Sequence, residues 1–157
     1  MQDVLPVDQD YKLLWLLFRT RDAIWKAREK EVRQFGIRGR ESAVLFIIDT
    51  IGTVATPSEI ARWLFREPHT ASGLLRRMEQ KGLVRMVKDL GRKNLIRVEP
   101  TPKGRKAYEQ SLKREVIHSI MSSLSKNERQ QLSSCLEKLL NKAVLELGTD
   151  KPPLLSS

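Results

Sequence analysis

Residues 56–104 constrain this chain more than any other stretch, because prolines, glycines and capping residues mark the ends of nearly every element in it. Thr56, Pro57, Ser58 and Glu59 form a capping box. Thr56 accepts from the Glu59 N–H, Pro57 is preset for the first helical position, and Glu59 reaches back. Ile60, Ala61 and Leu64 give that helix its inward face. Pro68 disfavours helix at Glu67 and opens a second helix over residues 68–81, where Ala71, Leu74, Leu75 and Met78 fall at i, i+3, i+4 and i+7. Gly82 ends it as a left-handed cap. Two strand-like runs, 83–88 and 95–99, then flank a turn that holds Gly91 and Asn94, with Arg92 and Lys93 at its tip.

The outer face of the second helix carries His69, Thr70, Ser72, Gly73, Arg76, Arg77 and Gln80. An ordinary amphipathic helix with solvated arginines would share the inward stripe, but its outer face would carry mixed charges in i, i+4 pairs. Here small residues near the start let the helix sit deep, and arginines behind them can reach a guanine edge or a phosphate. A basic ribbon placed directly after such a helix reads as a wing that reaches an adjacent groove or backbone. Residues 56–105 hold twelve Lys and Arg against five Asp and Glu, most of the whole chain's +10. The pattern implies a winged helix-turn-helix with double-stranded DNA as its partner: Ser72, Gly73, Arg76 and His69 face bases, while Thr70, Arg77 and Lys103 hold backbone and Arg92 and Lys93 serve the wing.

The runs TPSEIARWL, HTASGLLRRMEQKGLVRM and TPKGRKAYE resemble the MarR (multiple antibiotic resistance regulator) family, closely over about fifty residues and by pattern in the flanking helices. The resemblance implies a dimeric winged helix-turn-helix transcription factor, most often a repressor of its own or a neighbouring operon. The family often has Ser or Asp where this chain has Glu67, Leu where it has Pro100, and Asp-x-Arg at the wing tip where it has Arg92, Lys93 and Asn94. Family members also commonly respond to a small aromatic or phenolic effector bound between the DNA-binding part and the dimer helices. The aromatic candidates are Trp15, Phe18, Trp25 and Trp63, for which core packing is the competing reading.

Composition sets the outer limits. A chain of 157 residues with 40% apolar content supports one domain with a real core. It has no apolar run of spanning length, and its first residues lack the pattern of a signal peptide, so no membrane partner and a cytoplasmic setting are expected. The single Cys135 excludes an intrachain disulfide, and His69 and His118 lack zinc spacing. No nucleophile–base pair or glycine-rich phosphate loop appears, so neither an enzyme nor a cofactor is expected.

The fold class expected is mainly α with a small antiparallel β-wing, flanked by dimerisation helices at both ends. Residues 1–36 comprise a loose arm to about residue 9 and a long helix from a cap at Asp10, with Leu13, Leu14, Leu17, Phe18, Ile24, Trp25 and Val32 inward and Tyr11, Trp15 and Leu16 available for a second contact. Residues 37–101 form the winged region around an apolar scaffold helix over 41–51, and residues 52–55 are candidates for a minor third strand. Residues 102–148 read as a helix from Thr101 to about 122, with Ala107, Leu112, Val116, Ile117, Ile120 and Leu124 inward, and a second after a capping box at Ser125 and Glu128. Residues 149–157 read as a flexible tail. Cys135 lies between Leu132 and Leu136 and reads more readily as a small buried hydrophobe than as a redox sensor. A protein-binding winged helix and a non-specific nucleic-acid binder are the alternative functions.

Overall fold

The computed structural model describes residues 8–89, 91, 92 and 94–155. The expected arm (residues 1–7), the wing residue Lys93 and the closing serines of the tail lie outside them.

The first helix, α1 (Gln9–Arg33), is capped by Asp8 rather than Asp10: an Asp8 carboxylate oxygen accepts from the Tyr11 N–H at 2.8 Å. Asp10 instead sits inside the first turn, where a negative charge also favours the helix. The chain turns at Gly36, whose φ of +77° suits glycine. The second helix, α2 (Gly39–Ile51), is the scaffold, with Val44, Leu45, Ile47 and Ile48 buried. Its start is held from two sides, because Glu29 of α1 accepts from the Gly39 N–H and Glu41 accepts from the Arg38 N–H at 2.8 Å.

The third strand expected at residues 52–55 does not form; a short 3₁₀ turn, Gly52–Val54, takes its place. Gly52 leaves α2 at φ +60°, and the Ala55 N–H bonds back to the Gly52 carbonyl at 3.1 Å, closing the turn. A single strand-like bond survives, from the Val98 N–H to the Ala55 carbonyl at 2.7 Å.

The third helix, α3 (Pro57–Leu64), starts as expected, with the Thr56 hydroxyl accepting from the Glu59 N–H at 3.2 Å. The reciprocal half of the capping box is absent because Val54 already takes the Thr56 N–H at 2.8 Å, leaving Glu59 to pair with Arg62 at 3.1 Å. Phe65 adopts left-handed geometry at φ +51°, so that the Arg66 N–H reaches the Ala61 carbonyl at 3.0 Å and the chain turns into α4 (Pro68–Gln80). Glu67 gives α4 no side-chain cap; its carbonyl accepts from Thr70 and Ala71 in the ordinary helical manner. Two antiparallel strands follow, β1 (Val84–Lys88) and β2 (Ile96–Pro100), with Val84 opposite Pro100 and Lys88 opposite Ile96. Asn94 turns the ribbon at φ +67°, and Asp89 accepts from the Gly91 N–H at 2.9 Å.

Where one helix was expected over 102–122 there are two, α5 (Pro102–Ser111) and α6 (Glu115–Met121), separated by Arg114 at φ +49°. The break has a tertiary cause. Arg28 of α1 donates to the Ser111 carbonyl at 3.1 Å, and Glu31 of α1 accepts from the Val116 N–H at 3.0 Å, so groups on each side of the break bond to α1 rather than along one continuous helix. Of the side chains expected inward here, Ala107 is buried, Val116, Ile117, Ile120 and Leu124 are half-buried, and Leu112 is exposed.

The last helix, α7 (Lys126–Leu147), carries the full capping box of Ser125 and Glu128 and ends at Gly148 with φ +67°. Most of its leucines are not covered by this chain: Leu132, Leu136, Leu139 and Leu147 are exposed, Leu140 is half-buried, and Val144 is its buried residue. Cys135 is exposed there too, contrary to the buried position expected of it. The apolar first half of α1, including Leu13, Leu14, Leu17 and Phe18, is likewise exposed rather than inward, because that half of the helix projects away from the core. The core itself gathers Val32 and Ile37, the buried side of α2, Ile60, Leu75 and Met78 of the two central helices, Leu83, Val84 and Val98 of the wing's root, and Ala107 and Tyr108 of α5.

Candidate nucleic-acid interface

The second helix of the motif is held from behind and open in front. Ala71, Leu75 and Met78 of α4 are buried in the core. At 100° per residue, His69, Gly73, Arg76 and Gln80 fall at i, i+4, i+7 and i+11 on the opposite side, with Ser72 beside them. His69, Ser72, Arg76 and Gln80 are exposed and Gly73 half-exposed. A Cβ added at Gly73 would meet only the Arg77 guanidinium at 3.6 Å, so nothing in the protein requires glycine there.

The C-terminal end of α4 is clamped. Gly82 turns the chain at φ +73°, and the Thr101 hydroxyl donates to the Gly82 carbonyl while accepting from the Gly104 N–H at 3.0 Å. The Thr101 N–H donates to the Leu83 carbonyl at 3.0 Å, and the Lys103 ammonium donates to the Lys81 carbonyl at 2.8 Å. Lys81 in turn pairs with buried Glu41 of α2 at 2.7 Å. Glu79 accepts from the Met86 N–H at 3.1 Å, tying the ribbon to the helix. These bonds explain residues 101–104 and 81–84 as one device that fixes the angle between helix and wing. The roles of Glu41, Lys81 and Glu79 were not legible in the sequence, because the contacts that create them join separate elements.

Several basic side chains of the face are already neutralised within the chain: Arg62 by Glu59, Arg85 by Glu99, and Arg97 by Asp89 and Glu99. Among the described residues, Arg76, Arg77, Lys88 and Arg92 have no carboxylate within ion-pair distance, and Arg92 is exposed at the ribbon's turn. Arg76 on the helix front and Arg92 at the ribbon's turn are thus both exposed and unpaired among the described residues.

Thr70 and Arg77 sit about a quarter-turn from that front, on the side of α4 that lines a cavity of about 650 Å³ between α1, α2, α3, α4 and α7. Its walls include Trp25, Phe46, Trp63, Leu74 and Leu136, with the guanidinium-bearing residues Arg21, Arg40 and Arg66. Of the four aromatic candidates, Trp25 and Trp63 line it. Trp15 and Phe18 do not; they border a separate hollow of about 300 Å³ on α1, with Arg19 stacked 5.0 Å from the Trp15 ring. The reason is helical rise: Trp15 lies ten residues before Trp25, or about 15 Å along the helix. The arginines of the cavity carry no periodic signal that would have set them apart in the sequence. Among the described residues no group of three or more His, Cys, Asp or Glu side chains is placed to hold a metal, and no helix is long and apolar enough to cross a membrane.

Helix, turn, helix and ribbon, with Arg76 and Arg92 exposed and unpaired, define a winged-helix protein whose terminal helices extend beyond the winged core. Residues 35–89 match the model of the MarR family. No curated protein matches the chain at a significant level. Among solved structures, the organohalide-sensing transcriptional regulator RdhR-CbdbA1625 bound to 2,4-dichlorophenol superposes with a TM-score of 0.87 at 24% identity, over 100% of this chain and 94% of that one. Its ligand-free form gives a TM-score of 0.78 at 26% identity, over 99% and 97% of the two chains. MepR of S. aureus in complex with DNA gives 0.76 at 24% identity, over 87% of this chain and 99% of that one.

Proposed function

We propose that two copies of this chain bind a pseudo-palindromic duplex operator, repress transcription from it, and release it when a small aromatic ligand enters the cavity beside α4. The observation that carries the reading is the strip of His69, Gly73 and Arg76 with Ser72 alongside, exposed at the front of a helix whose back is buried and whose end is clamped. In this reading these four residues face base edges, Gly73 by leaving room for one, and Thr70, Arg77, Arg92 and Lys93 hold phosphates on either side. Lys103 spends one of its three ammonium donors on the Lys81 carbonyl and keeps two for a phosphate. The DNA-bound state of MepR supports duplex DNA as partner, and the dichlorophenol-bound regulator supports an aromatic effector. For that effector, Trp25 and Trp63 are the candidate contacts retained; the cavity's size suits a small molecule. The protein acts in the cytoplasm, where its operator lies, with no catalytic step.

One helix reads too few base pairs for selectivity, so the reading requires a dimer whose helices enter successive major grooves about 10 bp apart. The test is selection of bound duplexes from a random pool at near-physiological salt with excess competitor, followed by titration of the recovered site. A twofold-symmetric sequence is expected. Arg76→Ala should weaken its binding by about 1–3 kcal/mol and relax preference at one position per half-site. Recovery of no motif, or an Arg76→Ala protein with unchanged affinity and preference, would sink the assignment.

A further inference from the structure

The cavity beside α4 has one wall that belongs to no helix. Pro153, Leu154 and Leu155 line it together with Ser133, Leu136 and Leu140 of α7. We infer that this C-terminal strap is a built part of the site, closing the cavity's outer side and determining which aromatic ligands it holds. The inference rests on the ligand reading above for its second half only; the strap's position is independent of any ligand.

Three features argue that the strap is specified by the sequence. Gly148 ends α7 in left-handed geometry, and both its N–H and that of Thr149 return to the Val144 carbonyl, at 3.1 and 3.4 Å, so the chain reverses at the helix end. Reversal aims the following residues back along α7. Leu140 lies eight residues before Gly148, about 12 Å of helix, and an extended chain of four or five residues covers that distance. Pro152 and Pro153 follow at that distance, both half-buried. Two prolines restrict the backbone to extended forms and bring no N–H groups that an apolar surface would leave unpaired. Leu154 and Leu155, 46% and 61% exposed, then border the same cavity as Trp25 of α1 and Trp63 of α3. The reading of residues 149–157 as a flexible tail takes account of their composition but not of this reversal.

Tryptophan fluorescence tests the strap directly. In a Trp15→Phe background the remaining emission comes from Trp25 and Trp63, both in the cavity wall. Ending the chain at Asp150, or substituting Leu154→Asp in the full chain, should raise the acrylamide quenching constant about twofold. The same variants should bind 2,4-dichlorophenol about tenfold more weakly by calorimetry, the loss expected from uncovering roughly 50 Å² of apolar ligand surface. Affinity for the bulkier 1-anilinonaphthalene-8-sulfonate should hold or improve, shifting the ratio of the two toward the larger probe. Quenching that is the same in all three proteins overturns the strap. Raised quenching with an unchanged ratio of probe affinities overturns its selectivity role. Raised quenching with no binding of either probe to any form leaves the strap standing and overturns the small-ligand reading instead.

Discussion

A methyl group at Gly104 would lie 2.0 Å from the Leu83 carbonyl oxygen, whereas one at Gly73 would touch only the flexible end of Arg77. The two glycines therefore answer different demands, and the same substitution separates them. Gly104→Ala forces apart the Thr101 clamp and the root of β1, and should cost about 3 kcal/mol in urea unfolding, the upper end of the usual range for overpacking. Gly73→Ala removes a flexible residue from a helix interior and should stabilise the fold by about 0.5–1 kcal/mol while lowering operator affinity about tenfold or more, because the added carbon occupies the space a base edge needs. A Gly73→Ala protein that gained stability and kept its affinity would place the groove-facing strip elsewhere on α4. At this scale the sequence was readable wherever the cause is local. Thr56, Thr101 and Ser125 each accept from an N–H three residues on, and each was visible as a cap followed by a proline or a glutamate. Glu41 caps α2 locally through the Arg38 N–H, but it is also 5% exposed and joined to Lys81 forty residues away, and no local pattern encodes that pair.

The elements were legible where punctuation is strong, from Pro57 to Pro102, and were misread where long-range bonds override periodicity. The clearest case is the pair of helices α5 and α6, whose apolar spacing runs through the break at Arg114 as though one helix continued. What divides them is the Arg28–Glu31 pair on α1, which bonds the Ser111 carbonyl and the Val116 N–H. Burial pushes the Glu31 carboxyl up, but the N–H groups of Val116 and Glu115 and the Arg28 guanidinium outweigh it, and the group is held below its ordinary value of 4.5. A carboxyl depressed in the folded state stabilises the fold above its unfolded pKa, and that contribution is lost as pH falls through the folded value. Glu31→Gln keeps an acceptor for Val116 and removes the charge. Urea unfolding should find the variant about 1–2 kcal/mol less stable at pH 7, with the gap to the parent narrowing below pH 4.5. A gap that stays constant from pH 7 to pH 3 would mean that the charge on Glu31 does not hold α6 to α1.

At the scale of the molecule, the apolar surface left bare by the fold decides the assembly. Leu13 and Leu16 of α1 are 60% and 63% exposed, and Leu139 and Leu147 of α7 are 51% and 62% exposed, at the two ends of the chain. A monomer would leave both surfaces in water, whereas in the proposed dimer a twofold pairing of terminal helices would cover them with an interface of about 1,600 Å² or more, the size of a stable association. The surplus apolar residues of α1 call for a second contact in the sequence, and the structure leaves them exposed on the half of the helix that projects away from the core. Replacing Leu13 and Leu16 together by Asp should yield a chain that sediments as a monomer at micromolar concentration yet keeps its helical circular dichroism, because neither residue belongs to the core. Such a monomer carries one reading helix and one wing. Its operator affinity should fall by two orders of magnitude or more, and its log–log salt slope should halve, since each neutralised phosphate contributes about −0.9 and half of them are gone. A double variant that remains dimeric would put the interface on α7 alone. One that is monomeric but binds the full operator with an undiminished salt slope would show that a single chain supplies all the phosphate contacts, and the twofold operator would lose its physical basis.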